Sequence, residues 1–219
     1  MNNTNTYYPV FCDLRDRLVI VVGGGMIASR KIEPLIASGA KVKVIAREVV
    51  PEISSEAGVE ICLKDYSKGD LEDAFMVIAA TDDEAINNCI SRDALSRHIL
   101  CNVVDKPDLC SFIVPSVVEK GPIKIAISTG GASPALARRL RMMISTAVGD
   151  EYAILSMILG KIRPFVLSQE GGHENHKRVF DILVDSQLID AIRDGDRQLI
   201  DTILFEALGT HIDLKGILP

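Results

Sequence analysis

The sequence predicts an α/β protein: a parallel sheet wound with helices on both faces, then a hairpin-and-helix region, then a small all-helical C-terminal domain. Three observations predict it. Short β-branched runs alternate with amphipathic stretches from Arg17 to Val104. A triple glycine, Gly23-Gly24-Gly25, stands between the first such run and the first helical stretch. Beyond Gly149 only helical periodicity remains, punctuated by Gly171-Gly172 and Gly195. The expected division is residues 1–110 for the sheet domain, 111–149 for the hairpin region and 150–219 for the helical domain.

The first strand is read at Leu18-Val19-Ile20-Val21-Val22, followed by an amphipathic stretch from Ile27 to Ser38 whose helix is placed at Lys31 to Ala37. Further strands are expected at Lys41 to Ile45, Val59 to Leu63, Phe75 to Ala80 and Leu100 to Val104, with a helix from Glu84 to Ser96. Ser111 to Val118 and Ile123 to Ser128 read as two strands joined by the turn-forming tetrad Glu119-Lys120-Gly121-Pro122. Ser133 as N-cap and Pro134 at the first helical position then open a helix through Arg138, Arg139 and Arg141 to about Val148. Helices follow near Glu151 to Ser168, Lys177 to Asp185, Gln187 to Arg193 and Arg197 to Leu208, and no internal repeat is visible.

Composition narrows the class. Hydrophobic residues make up 47% and charged residues 25% of 219 positions, which excludes a disordered chain. No apolar run reaches the roughly 18 residues of a bilayer span, and the polar start from Met1 to Tyr8 lacks the blocks of a signal peptide, so a soluble, cytoplasmic protein is expected. Five cysteines (Cys12, Cys62, Cys89, Cys101, Cys110) form no C-x-x-C pair and read as reduced and buried. A net charge of -6 argues against a general nucleic-acid binder.

Gly23-Gly24-Gly25-Met26-Ile27-Ala28 fits G-x-G-x-x-[GA] between a strand and a helix, the arrangement of a Rossmann-type dinucleotide site. Gly23 allows the tight turn, Gly25 lets backbone approach a pyrophosphate, and Ala28 lets helix pack on strand, while the helix N-terminus offers unpaired N–H groups. Near the end of the second strand, Ala46-Arg47-Glu48 stands where an acidic residue is expected. Glu48 is the candidate for a ribose, whereas Arg47 suits a 2′-phosphate, so NAD and NADP are both open on these residues; their other reading is an exposed salt-bridged pair. Thr81, in Thr81-Asp82-Asp83 at the carboxyl edge of the sheet, is a candidate cofactor contact; alternatively Thr81 or Asp82 caps the next helix.

Asn102-Val103-Val104-Asp105 closes the fifth strand at that same edge, and Ser128-Thr129-Gly130-Gly131-Ala132-Ser133-Pro134 precedes the arginine-bearing helix. With Pro9-Val10-Phe11-Cys12-Asp13-Leu14 and the glycine turn, these segments resemble the precorrin-2 dehydrogenase family, the module that also forms the N-terminal part of siroheme synthases. The resemblance runs from about Tyr8 to Ala147. It implies NAD-dependent oxidation of precorrin-2 to sirohydrochlorin, a Rossmann domain with a dimerising hairpin-and-helix region and a helical tail, and a homodimer. Some members of that family also take ferrous iron as a substrate. It further implies that Asp105 is the catalytic residue and that Met26-Ile27 with Arg47-Glu48 contact NAD.

The residue types suit that chemistry. Dehydrogenation removes a hydride, which a nicotinamide accepts, and a proton, which needs a base such as a carboxylate. Asp105 is the candidate base; its other reading is a turn residue before Lys106-Pro107. Arg138, Arg139, Arg141 and Lys106 are candidate cations for the carboxylates of a tetrapyrrole, and the spacing of the arginines implies that one or two pair elsewhere. Asn102, Ser128, Thr129, Gly130, Gly131 and Arg138 form the candidate substrate site, the glycine pair acting as an anion nest or as a simple loop. His98, His173, His176 and His211 form no ligand set, and His173-x-x-His176 reads as a solvated loop, so no metal site is expected. Two other readings stand beside the dehydrogenase: a non-catalytic NAD-sensing module, and an interaction protein on a ligand-free Rossmann scaffold.

Overall fold

The computed structural model describes residues 7–218; the polar stretch Met1 to Thr6 lies outside them. The chain divides into two compact units between Val114 and Pro115. The first holds a five-stranded sheet in the order β3-β2-β1-β4-β5, from strands β1 (Leu18–Val22), β2 (Lys41–Ala46), β3 (Val59–Leu63), β4 (Met76–Ala79) and β5 (Leu100–Val103). All neighbouring pairs are parallel.

Strand β1 is apolar at every position because it lies mid-sheet with both faces covered. Its alternate side chains serve different cores. Val19 and Val21 pack with Ala28, Ile32 and Leu35 of α1 (Met26–Ala37) and with Ile53 of the one-turn helix α2 (Pro51–Ser54). Ile20 and Val22 face the other way, with Ile90 and Ala94 of α3 (Glu84–Ser96), Val77 and Cys101. Each fully buried Val or Ile contributes about 1.5–3 kcal/mol, so this one strand ties both layers to the sheet.

The second unit begins with the antiparallel pair β6 (Ser116–Lys120) and β7 (Ile123–Ile127). The strand expected at Ser111 to Val118 starts and ends later, because Pro115 cannot donate to a ladder and the turn needs only two residues. Gly121, at φ 53°, takes the left-handed corner before Pro122, leaving Glu119 in the ladder opposite Lys124, with their charges 2.9 Å apart. Helix α4 (Pro134–Ala147) opens as the sequence predicts, Ser133 Oγ accepting from Leu136 N at 3.2 Å. Helices α5 (Asp150–Ser168), α6 (Gly172–Asp185), α7 (Leu188–Asp194) and α8 (Arg197–Leu208) enclose a third core around Ile158, Ile162, Leu183, Leu188, Ile200 and Leu204. His173 and His176 lie in the first turns of α6 rather than in a loop, and His176 Nε2 bonds the Gln169 carbonyl at 2.9 Å. No single helix among the described residues is long and apolar enough to cross a membrane. The cysteines are all free thiols, but of the five only Cys101 is buried: Cys62, Cys89 and Cys110 are half-buried and Cys12 is exposed.

Candidate functional site

Parallel strands place their trailing loops at one edge of the sheet, and here those loops bound an open cleft of about 860 Å³. It is lined by the glycine turn after β1, residues 45–51 at the end of β2, residues 64–66 after β3, residues 80–83 after β4, and Ile86 of α3. Gly23, Gly24, Gly25, Met26, Ile27, Arg47, Glu48 and Thr81 all lie in that lining.

The three glycines differ in what they allow. Gly23 holds φ at 121°, and a Cβ there would strike the Ala80 carbonyl. A Cβ on Gly24 would collide with the Glu48 carbonyl oxygen, since β1 and the segment after β2 are laced together by Gly23 N to Ile45 O and Val50 N to Gly24 O, each 2.9 Å. Gly24 therefore carries the tightest approach, a role the motif alone assigns to neither neighbour. A Cβ on Gly25 meets nothing within 4 Å. Gly25 is the N-cap of α1, with no side-chain cap and no acidic residue in the first turn, so the leading N–H groups remain available to an anion.

Around this positive end the rim is acidic: Glu48, Asp65, Asp82 and Asp83 against Arg47 and Lys64. Arg47 Nε donates to Asp65 at 2.5 Å, and Asp65, followed by Asp83 and Asp82, raises the guanidinium's affinity for its proton. Lys64 is paired with Asp70. Tyr66 donates to Asp93 at 3.1 Å, and its hydroxyl is pushed up chiefly by burial, then by the Asp93 charge. Thr81 Oγ1 accepts from Asp83 N at 3.3 Å and donates to Asn87 Oδ1 at 2.7 Å, whereas Asp83 caps α3 by accepting from Ala85 N and Ile86 N. Neither Thr81 nor Asp82 is the cap, because α3 begins one residue past Asp83. Lys64, Asp65 and Tyr66 escaped sequence reasoning, although the exit of any parallel strand is a candidate position.

Asn102 in β5 and Asp105, two residues past its end, belong to the same unit but are not part of the cleft lining. Asp105 is exposed, sits at φ 58°, and has no side-chain hydrogen bond among the described residues. Lys106 Nζ is held by Glu84 at 2.8 Å. In the second unit, Ser128 Oγ accepts from Gly130 N at 3.0 Å and Thr129 Oγ1 accepts from Ser133 N at 3.0 Å, so the segment before α4 is a locally bonded loop. Arg138, Arg139 and Arg141 are exposed, and none has an ion-pair partner among the described residues, contrary to the expected pairing. All three positions are solvated, and α4 itself carries no Asp or Glu to pair with them. No group of three or more His, Cys, Asp or Glu suited to a metal occurs among the described residues.

Residues 10–116 match an NAD(P)-binding family model, and residues 120–147 match the model of the sirohaem biosynthesis protein central region. A siroheme synthase of Methylobacillus flagellatus is 41% identical over 175 residues, covering 78% of this chain and 37% of the relative. That of Sodalis glossinidius is 37% identical over 217 residues, covering 96% and 45%, and that of Escherichia coli O157:H7 is 33% identical over 214 residues, covering 96% and 47%. The chain thus spans less than half the length of these curated relatives. The solved structure of SirC, a precorrin-2 dehydrogenase, superposes with a TM-score of 0.75 at 26% identity, covering 90% of this chain and 98% of that one.

Proposed function

The chain belongs to the siroheme synthase family, in the part that corresponds to precorrin-2 dehydrogenase, and on that premise we propose that it oxidises precorrin-2 to sirohydrochlorin with NAD. The observation that carries this reading is the uncapped N-terminus of α1 opening on the cleft, which suits a pyrophosphate. Bound there, a nicotinamide supplies the hydride acceptor. The chain supplies the rest. Its backbone N–H groups hold the phosphates, Glu48 takes the ribose, Thr81 contacts the cofactor, and Asp105 removes the proton that leaves with the hydride. The unpaired Arg138, together with Ser128, Thr129, Gly130 and Gly131, receives substrate carboxylates. NAD is favoured over NADP because Arg47 is engaged by Asp65 and the remaining rim carboxylates repel a 2′-phosphate. Five free thiols fit a reducing cytoplasm.

The test is an anaerobic assay with precorrin-2: NADH and sirohydrochlorin form together, and NADP at equal concentration supports slower turnover. NAD binding without turnover would return the chain to the NAD-sensing reading. No dinucleotide-induced rise in Tm at all would leave a ligand-free scaffold.

We further propose a homodimer built on α4, whose Leu136, Met142 and Met143 are 50%, 52% and 55% exposed. Placing a charge there, as in Met143→Asp, is expected to shift the mass in analytical ultracentrifugation from dimer to monomer. A parent protein that sediments as a monomer would rule the dimer out.

A further inference from the structure

We propose that Cys110 and Asn102 are positioning residues that hold the Asp105 turn in its working conformation, an inference resting on the reading of Asp105 as the base. Strand β5 is the last of its sheet. The N–H groups of Leu100 and Val104 point inward, to Phe75 O and Ala79 O, so those of Cys101 and Val103 point to the open edge and need partners. The returning chain supplies them. Cys101 N donates to Ser111 Oγ at 2.8 Å, and Val103 N donates to Cys110 Sγ at 3.1 Å.

Between these two contacts lies the turn that carries Asp105. Lys106 N closes it on Val103 O at 3.3 Å, with Asp105 at φ 58°, a left-handed conformation that is sparsely populated outside glycine, asparagine and aspartate and that the surrounding hydrogen bonds hold in place. Cys110 Sγ lies 3.3 Å from the carbonyl oxygens of both Val103 and Lys106, the residues that flank this turn. Burial pushes the thiol up from its usual range, so at neutral pH it keeps a proton to donate to one of them. Asn102 is 9% exposed, and its Nδ2 donates to Phe112 O at 3.1 Å and reaches Cys110 Sγ at 3.6 Å. The Nδ2 end of its amide is thus engaged within the protein, where it supports the turn. Ser91 Oγ of α3 donates to Leu109 O at 2.8 Å and anchors the far side.

None of these tethers belongs to the dinucleotide cleft. Loosening the turn displaces Asp105 without touching the cofactor, and an error of about 1 Å in a reacting group costs up to about 100-fold in rate. Steady-state kinetics with precorrin-2 and NAD, run on the parent, Cys110→Ala, Cys110→Ser, Asp105→Asn and the double variant Cys110→Ala with Asp105→Asn, test this. In Cys110→Ala, kcat is expected to fall by about tenfold or more with the KM for NAD unchanged. Cys110→Ser, which still donates and accepts, restores most of it. In the Asp105→Asn background, Cys110→Ala adds no further loss, since both changes act through one carboxylate. If Cys110→Ala does not fold, Asn102→Ala carries the same expectations. A parental kcat in folded Cys110→Ala, or a loss that persists in full in the double variant, overturns the positioning role while leaving Asp105 as base. Parental activity in Asp105→Asn removes the base assignment, and the positioning role with it.

Discussion

Asp105→Asn will bind NAD as the parent does and lose its turnover of precorrin-2 by a factor of about 10²–10⁴, the contribution of a positioned general base. Asparagine is the informative replacement. Asp105 stands at φ 58°, a left-handed conformation that Asp and Asn tolerate and alanine does not. Asp105→Ala therefore combines two losses, the base and about 1–2 kcal/mol of backbone strain, whereas asparagine removes the base alone. The carboxylate has no hydrogen-bond partner among the described residues, so its replacement orphans no donor. It also lies outside the cleft lining, so calorimetric titration with NAD should be unchanged. Turnover within a few-fold of the parent would strip Asp105 of its role.

How much of the fold and the site was legible in the sequence depends on how far apart the cooperating residues lie. The apolar run at Leu18 to Val22 announced a strand buried on both faces, and Gly23 to Ala28 announced a tight turn into a helix, because both signals are local. The sheet's carboxyl edge was equally readable, and it brought Arg47, Glu48 and Thr81 to the cleft. What Arg47 does there was not readable. Its partner Asp65 is 18 residues away, brought alongside by the β2–β3 register that pairs Ala46 with Leu63. Asn102 presents the same difficulty: a polar residue at the end of a strand suggests a ligand contact, and only the returning chain from Pro107 to Phe112 shows that its amide is already engaged. The short hairpin turn at Gly121-Pro122 was blurred by flanking charged residues, Glu119 and Lys120, that belong to the ladder. The clearest gap concerned Gly24, whose need for a bare Cα arises from Glu48, beyond a strand the motif does not include.

Gly24 and Gly25 therefore predict different phenotypes from the same substitution, one in the stability of the apo protein and the other in dinucleotide binding alone. Gly25→Ala adds a methyl group at φ -86° and ψ -178°, extended backbone that any residue adopts, and meets no protein atom within 4 Å. The apo protein should keep its Tm. The methyl group nevertheless stands at the cleft, where the pyrophosphate must approach the leading N–H groups of α1, so NAD affinity should fall by about tenfold or more, a cost of about 1.4 kcal/mol. Gly24→Ala drives its Cβ into the Glu48 carbonyl oxygen and toward Ala46 Cβ at 3.0 Å, and backbone at that place cannot rotate aside as a side chain would. Relief requires the segment after β2 to move away, at the expense of the Val50 N to Gly24 O bond. Overpacking of this kind costs about 1–3 kcal/mol, so the apo Tm drops by several degrees and NAD binding weakens with it. Thermal melts with and without NAD read both quantities in one experiment. A Gly25→Ala protein that melts lower in the apo form yet binds NAD normally would mean that this turn serves the fold and not the dinucleotide.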